Sequence, residues 1–230
     1  MINALVALVL AASAGSGIYF EQTTVTRADE GPAGPGVSSR VWYAGSKMRL
    51  EAGGAPGGHA LILRLDTGRA YRLDPAAKLA VEIDLDRLRA RSQQEASMVA
   101  DLMGVSEEGT ARVAELDGRT IAGHVCEGYR IAAGSTVMEV YVAPDVPVGV
   151  EAFADFLEWS GAGYSMGGIL VELRKLRGFP METRSRVTVL DRVHETVSTV
   201  SRVRVGPHPS GLFEPPAGYE VRKEAVPPVP

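Results

Sequence analysis

His124 and Cys126 stand two apart in H-V-C, and both side chains can do chemistry. On a strand such a pair shares one face. A thiolate nucleophile needs a base within hydrogen-bond reach and a third group to orient that base. The neighbours here are Gly123, Val125 and Gly128, and no Asn or Asp pattern is tied to them. A metal ion on the same pair needs two further ligands, for which His194 and Glu127 are the candidates. A buried thiol beside a half-exposed His asks for less than either.

The other groupings are weaker. Glu82, Asp84 and Asp86 look like paired carboxylates, but they fall where a strand gives way to a helix, and acidic residues favour a helix N-terminus. Ser160 is followed by Gly161-Ala162-Gly163. A nucleophile elbow is G-x-S-x-G between strand and helix, whereas this serine follows Glu158-Trp159 at the end of a predicted helix; a lid or hinge fits better. Gly53-Gly54 and Gly57-Gly58 lack the following helix and Lys of a phosphate loop. The expectation is therefore no catalytic residue, no metal and no cofactor.

Composition bounds the rest. A chain of 230 residues, 45% hydrophobic and 23% charged, has material for one domain with a real core. The net charge of −4 advertises no nucleic-acid partner. A single Cys excludes an intramolecular disulfide. Residues Ile2–Ala14 are apolar and uncharged, too short to span a membrane, and end in Ala12-Ser13-Ala14 before Gly15. That pattern predicts a signal peptide over 1–14, although its start lacks the usual Lys or Arg. It gives a single domain over 15–221, a Pro-rich tail over 222–230 and export to the periplasm or cell envelope, with no stable membrane span.

The elements that must position any site come from periodicity. Gly17–Arg27 reads as a strand and Asp29–Ser38 as a Gly/Pro loop. From Arg40 to Ile83 apolar residues recur at every second position: Met48, Leu50; Leu61, Leu63, Leu65; Tyr71, Leu73; Leu79, Val81, Ile83. Turns fall at Ala44-Gly45, Gly53-Gly54, Asp66-Thr67-Gly68 and Asp74-Pro75. This is an antiparallel meander with one apolar face. Helical spacing then predicts a helix over Asp86–Met103, with Asp84 as its cap. Asp117-Gly118 predicts a hairpin turn between strands Glu108–Leu116 and Arg119–Ile131. A strand Val137–Val142 follows and ends at Pro144 and Pro147. Phe153, Phe156 and Leu157 make a helical stripe. Ile169–Arg177 reads as a helix with Gly178 as its left-handed cap. Strands Met181–Leu190 and Glu195–Val205 follow, and Phe213 and Tyr219 should dock the tail. Helices gathered on one side of a curved antiparallel sheet, an α+β open or half β-barrel, satisfy this order.

The ordered set Trp42-Tyr43-Ala44-Gly45-Ser46-Lys47-Met48-Arg49, Arg64-Leu65-Asp66-Thr67-Gly68, Tyr71-Arg72-Leu73-Asp74, Thr120-Ile121-Ala122-Gly123, Gly178-Phe179-Pro180 and Phe213-Glu214-Pro215-Pro216-Ala217-Gly218-Tyr219 resembles the LolA-like superfamily of bacterial lipoprotein-sorting carriers. The likeness is closest to an uncharacterised domain-of-unknown-function branch. It implies a curved sheet closed on its concave side by helices, with acyl chains held in the hollow. On that reading the protein is not an enzyme. It binds a lipid or other apolar small molecule through Met48, Leu50, Leu61, Leu63, Tyr71, Leu73, Phe153, Phe156, Trp159 and Tyr164, and an envelope protein is a second class of partner. Its rival is a structural or protein-interaction module whose core is filled.

Overall fold

The computed structural model describes residues 17–29, 31–53, 60–91, 94, 110–149, 154, 155, 157, 158, 167–189 and 192–224. The expected signal peptide, the Gly57-Gly58 loop and Ser160 lie outside these. Among the described residues twelve strands form one sheet. They are β1 (Gly17–Ala28), β2 (Val37–Ala44), β3 (Lys47–Ala52), β4 (Ala60–Arg64), β5 (Arg69–Asp74), β6 (Leu79–Asp84), β7 (Arg112–Ile121), β8 (His124–Ala133), β9 (Thr136–Ala143), β10 (Phe179–Val189), β11 (Arg192–Gly206) and β12 (Glu220–Lys223).

Their order is β12-β6-β5-β4-β3-β2-β1-β11-β10-β9-β8-β7. Two meanders, β2–β6 and β7–β11, thus flank β1. Its ladder with β11 runs from Gly17↔Gly206 to Ala28↔His194 and joins them. Every neighbouring pair is antiparallel except β12 with β6, which is parallel. The fold is α+β, an open and curved sheet with few helices, as the periodicity predicts. Register shifts at Glu21/Gln22, Pro180/Glu182 and Leu116/Arg119 interrupt three ladders. Such bulges bend a strand and raise its twist, which a sheet this wide needs in order to curl.

Two helices have several consecutive described residues. Helix α1 covers 85–91. Asp84 is its N-cap, as its place between strand and helix predicts: Oδ1 accepts the Arg87 backbone N–H at 3.1 Å. Most of the predicted helix beyond 91 lies outside the described residues. Helix α2 covers Gly167–Leu173 and buries Ile169, Leu170 and Leu173.

Three sequence expectations are corrected. Val37 and Ser38 belong to β2 and not to the preceding loop. Asp117-Gly118 is no hairpin turn: β7 continues through it, with Leu116 opposite Gly128 and Arg119 opposite Cys126. Two residues thus face one, Glu127, which is a bulge. Glycine is required there because a Cβ on Gly118 would sit 2.8 Å from the Cys126 carbonyl oxygen. The turn itself is Ala122-Gly123, with φ of 49° and 88°. That is the two-residue primed turn usually written Asn-Gly or Asp-Gly, so alanine hides it. Lastly, α2 ends at Leu173, and Gly178 (φ 108°) is not its cap; a Cβ there would meet the Ala143 carbonyl at 2.6 Å as β10 begins.

Candidate ligand-binding face

Side chains of directly paired residues share a face of a sheet, so the registers assign every strand residue to one side. Ile18 pairs with Val205 and Tyr43, Tyr43 with Met48, Met48 with Leu63, Leu63 with Ala70 and Ala70 with Ile83. This apolar row crosses seven strands. A second row runs Val203, Phe20, Val41, Leu50, Leu61 and ends on β5 at Arg72. Leu85 of α1 packs in the same cluster as Ile18, Met48 and Leu63. Following the register across β11 and β10, Ser198 pairs with Thr183 and Thr183 with Val140. Val140 packs with Ile131, Met138, Val142 and the buried side chains of α2. Both helices therefore lie on one face of the sheet, and the apolar rows belong to that face.

Charge is segregated between the two faces. On strands β1–β4 and β9–β11, the same alternation puts Glu21, Arg27, Arg40, Lys47, Arg49, Glu51, Arg64, Glu139, Glu182, Arg184, Arg186, Glu195, Arg202 and Arg204 on the face away from the helices. Arg192, exposed at the tip of the β10–β11 hairpin, is the exception. The outer charges pair with one another. Arg119 stacks over the Tyr141 ring at 3.6 Å and contacts Glu182, whose Oε2 accepts the Thr199 hydroxyl at 3.1 Å. Arg49 reaches Glu51 and Arg40 reaches Glu51, both at 2.9 Å.

Met48, Leu50, Leu61 and Leu63 come together on the helix-bearing face. Met48 and Leu63 are buried, and Leu50 and Leu61 are partly buried against them. Tyr71 and Leu73 do not join them. Tyr71 pairs with Ile62 and Leu73 with Ala60, which places both on the outer face. There they form a separate cluster with Ala60, Ile62 and Ala80, covered by Phe213 and Tyr219. The physical reason is that β4–β6 are buried on both sides. The chain after β11 crosses the outer face as a strap. His208 Nε2 lies 3.0 Å from the Tyr43 carbonyl, Arg49 donates to the Leu212 carbonyl at 3.2 Å, and Arg64 pairs with Glu214. Docking of Phe213 and Tyr219 was legible in sequence; the parallel strand β12 that follows was not. Phe153, Phe156, Trp159 and Tyr164 lie outside the described residues.

The chemical candidates among the described residues make local contacts. Cys126 is buried, its thiol donates to the His124 carbonyl at 3.4 Å, and burial pushes it up from the ordinary thiol range. The His124 ring turns away to Asp145, with Nδ1 and Oδ2 2.7 Å apart. No cysteine–histidine pair forms. Glu82 pairs with Arg69. Among the described residues no group of three His, Cys, Asp or Glu side chains could hold a metal ion, and no helix is long and apolar enough to cross a membrane.

A family model matches residues 35–219, most of the chain. The chain belongs to the domain of unknown function DUF4412. No curated protein matches it. Similar solved structures include PNGF-II, 13% identical with a TM-score of 0.41, over 90% of this chain and 31% of that one. The DUF4412 chain thus spans about a third of that protein's length. An uncharacterized conserved protein from Thermus thermophilus is 9% identical with a TM-score of 0.47, over 92% of this chain and 91% of that one. The LolA superfamily protein NE2245 from Nitrosomonas europaea is 10% identical with a TM-score of 0.35, over 86% and 89%. At such identities the likeness is one of fold alone. The family model agrees with the domain of unknown function expected from sequence, and a LolA superfamily protein is among the similar structures.

Proposed function

We propose that this DUF4412 protein is an exported envelope protein that binds the acyl chain of a lipid, or a comparably apolar molecule, on the helix-bearing face of its sheet, and that it catalyses no reaction. The observation that carries the reading is the pair of apolar rows, one across β1–β6 and one across β1–β4, on a face that the strand charges of β1–β4 avoid. An ordinary exposed sheet face alternates or mixes charge. A face kept free of charge across neighbouring strands suits a guest that offers no charge in return. Each buried CH₂ of such a guest contributes about 0.8 kcal/mol, so affinity needs no polar motif. Met48 adds a flexible, polarizable wall suited to irregular chains. Leu50 and Leu61, only partly buried, are the positions where a guest gains contact. Phe153, Phe156, Trp159 and Tyr164 stay in the proposal as the opposite wall through their sequence pattern.

Native mass spectrometry of protein taken from its own envelope tests this. The expected result is co-purified lipid, together with saturable uptake of the apolar dye diphenylhexatriene by delipidated protein. Leu50→Asp with Leu61→Asp should keep the fold and lose uptake. Lipid-free protein that takes up no dye would sink the reading and leave the rival, a filled module acting through a protein partner.

A further inference from the structure

Between the two apolar clusters of the helix-bearing face lies a band of a different kind. Its first row is Thr24, Ser198 and Thr183, paired in that order. The next is Thr26, Thr196 and Ser185. On one side the band is bordered by Gln22 and its partner Val200, beyond which Phe20 belongs to the same apolar cluster as Val200. On the other, Thr183 pairs with Val140 and Ser185 with Met138, both in the second cluster. Thr24, Ser198, Thr183, Thr196 and Ser185 are each partly buried. The Thr24 and Ser198 hydroxyls bond each other at 2.9 Å.

We propose that this hydroxyl band reads the polar part of the bound lipid, and that it selects a lipid whose head is uncharged and hydrogen-bonding, of the acylglycerol type. The inference rests on the lipid-binding reading above and adds the class of ligand. Two features of the band argue for it. A hydroxyl both donates and accepts, so a row of hydroxyls satisfies ester carbonyls and free hydroxyls alike. The central strands also place Glu139, Glu182, Arg184, Arg186 and Glu195 on the other side, which leaves the band no counter-charge among its strand neighbours. A carboxylate or phosphate seated on the band would be desolvated with no counter-charge among the strand side chains that border it, whereas an uncharged head loses only hydrogen bonds that the hydroxyls replace. Arg192 and His194, both exposed at the hairpin tip, are the nearest titratable residues of β11 on this face. They lie beyond the band, where an ion stays in water.

Competition against bound diphenylhexatriene at about pH 8, where a fatty acid is ionised, makes the test. Monooleoylglycerol and oleate carry the same chain and differ in the head. The glycerol ester should displace the dye about tenfold more tightly than oleate. A triple variant, Thr24→Val, Thr183→Val and Ser198→Ala, should lose that preference while binding the dye as before. Val suits a strand and matches Thr in shape, so the sheet is preserved; Thr183→Val alone should weaken the preference in the same direction. Oleate binding as tightly as the ester, or a triple variant that keeps the preference, would overturn the assignment and leave the lipid reading standing. Uptake of none of the three probes would sink both.

Discussion

Arg64 and Asp66, two apart at the end of β4, hold the outer face where the strap crosses it. The guanidinium donates from Nε and Nη2 to the two Asp66 oxygens at 2.8 and 2.9 Å, and it also pairs with Glu214. These bonds hold the Asp66 carboxyl below the usual carboxylate range, and they raise the Arg64 guanidinium further above its own. An acid depressed in the folded state stabilises the protein above its unfolded value, near 3.9, and loses that contribution as pH falls through the folded one. Asp66→Asn should therefore lower the urea midpoint at neutral pH. The gap to wild type should close as pH drops below about 4. A gap that persists unchanged at about pH 2 would show that the carboxylate's charge is not what matters. His124 and Cys126 had the spacing of a working pair, and the reading that they were a buried thiol and a half-exposed His is what the Asp145 contact and the thiol's burial show.

The strap and β12 illustrate what alternation reveals about an element and what it hides. Periodicity identified β2–β6 because each strand buries alternate residues. It could not say which alternate set continues across a turn. Leu63 meets Ala70, so the small Ala70 faces the helices and the large Tyr71 and Leu73 face outward. Size alone pointed the other way, because the strap that needs those large side chains lies some 140 residues further along the chain. The same blindness hid β12, which has four exposed residues and no period to read. It is held by parallel pairing to β6, bounded by bonds from Glu220 N–H to the Lys78 carbonyl at 2.9 Å and from Glu224 N–H to the Glu82 carbonyl at 2.8 Å. Phe213 and Tyr219 tie this short strand to a core. Phe213→Ala should cost about 2 kcal/mol, below the 3–5 of a fully buried Phe because the ring is only partly covered. It should also speed amide exchange across Glu220–Lys223 while leaving β1 protected. Exchange there at the wild-type rate would mean that β12 holds without the strap.

Across β1–β4 and β9–β11 the charge segregation was written in the sequence strand by strand, as charged residues between apolar ones. Its sum over strands was not, because three bulges reset the count: Asp117-Gly118 in β7, one in the β1–β11 ladder and one near Pro180. The hydroxyl band escaped notice for a plainer reason: Thr is common in strands, and only register brings Thr24, Ser198 and Thr183 side by side. The place of β1 between the meanders has a consequence for how the chain reaches this state. Each meander closes through neighbours in sequence, but Thr24 and Ser198 are 174 residues apart. Joining them requires closing a loop of nearly the whole chain, and non-local pairings of this kind come late and slow folding down. Val25 and Val197 pair in that ladder. Val197→Ala should cost about 1 kcal/mol, raising the unfolding rate about fivefold and leaving the refolding rate nearly unchanged. A slowed refolding limb in a chevron experiment would instead place the joint in the nucleus. The first described strand of the chain therefore waits for one of the last: until β11 is made, β1 presents an open edge, and for that interval a newly synthesised chain is most exposed to pairing with the wrong strand.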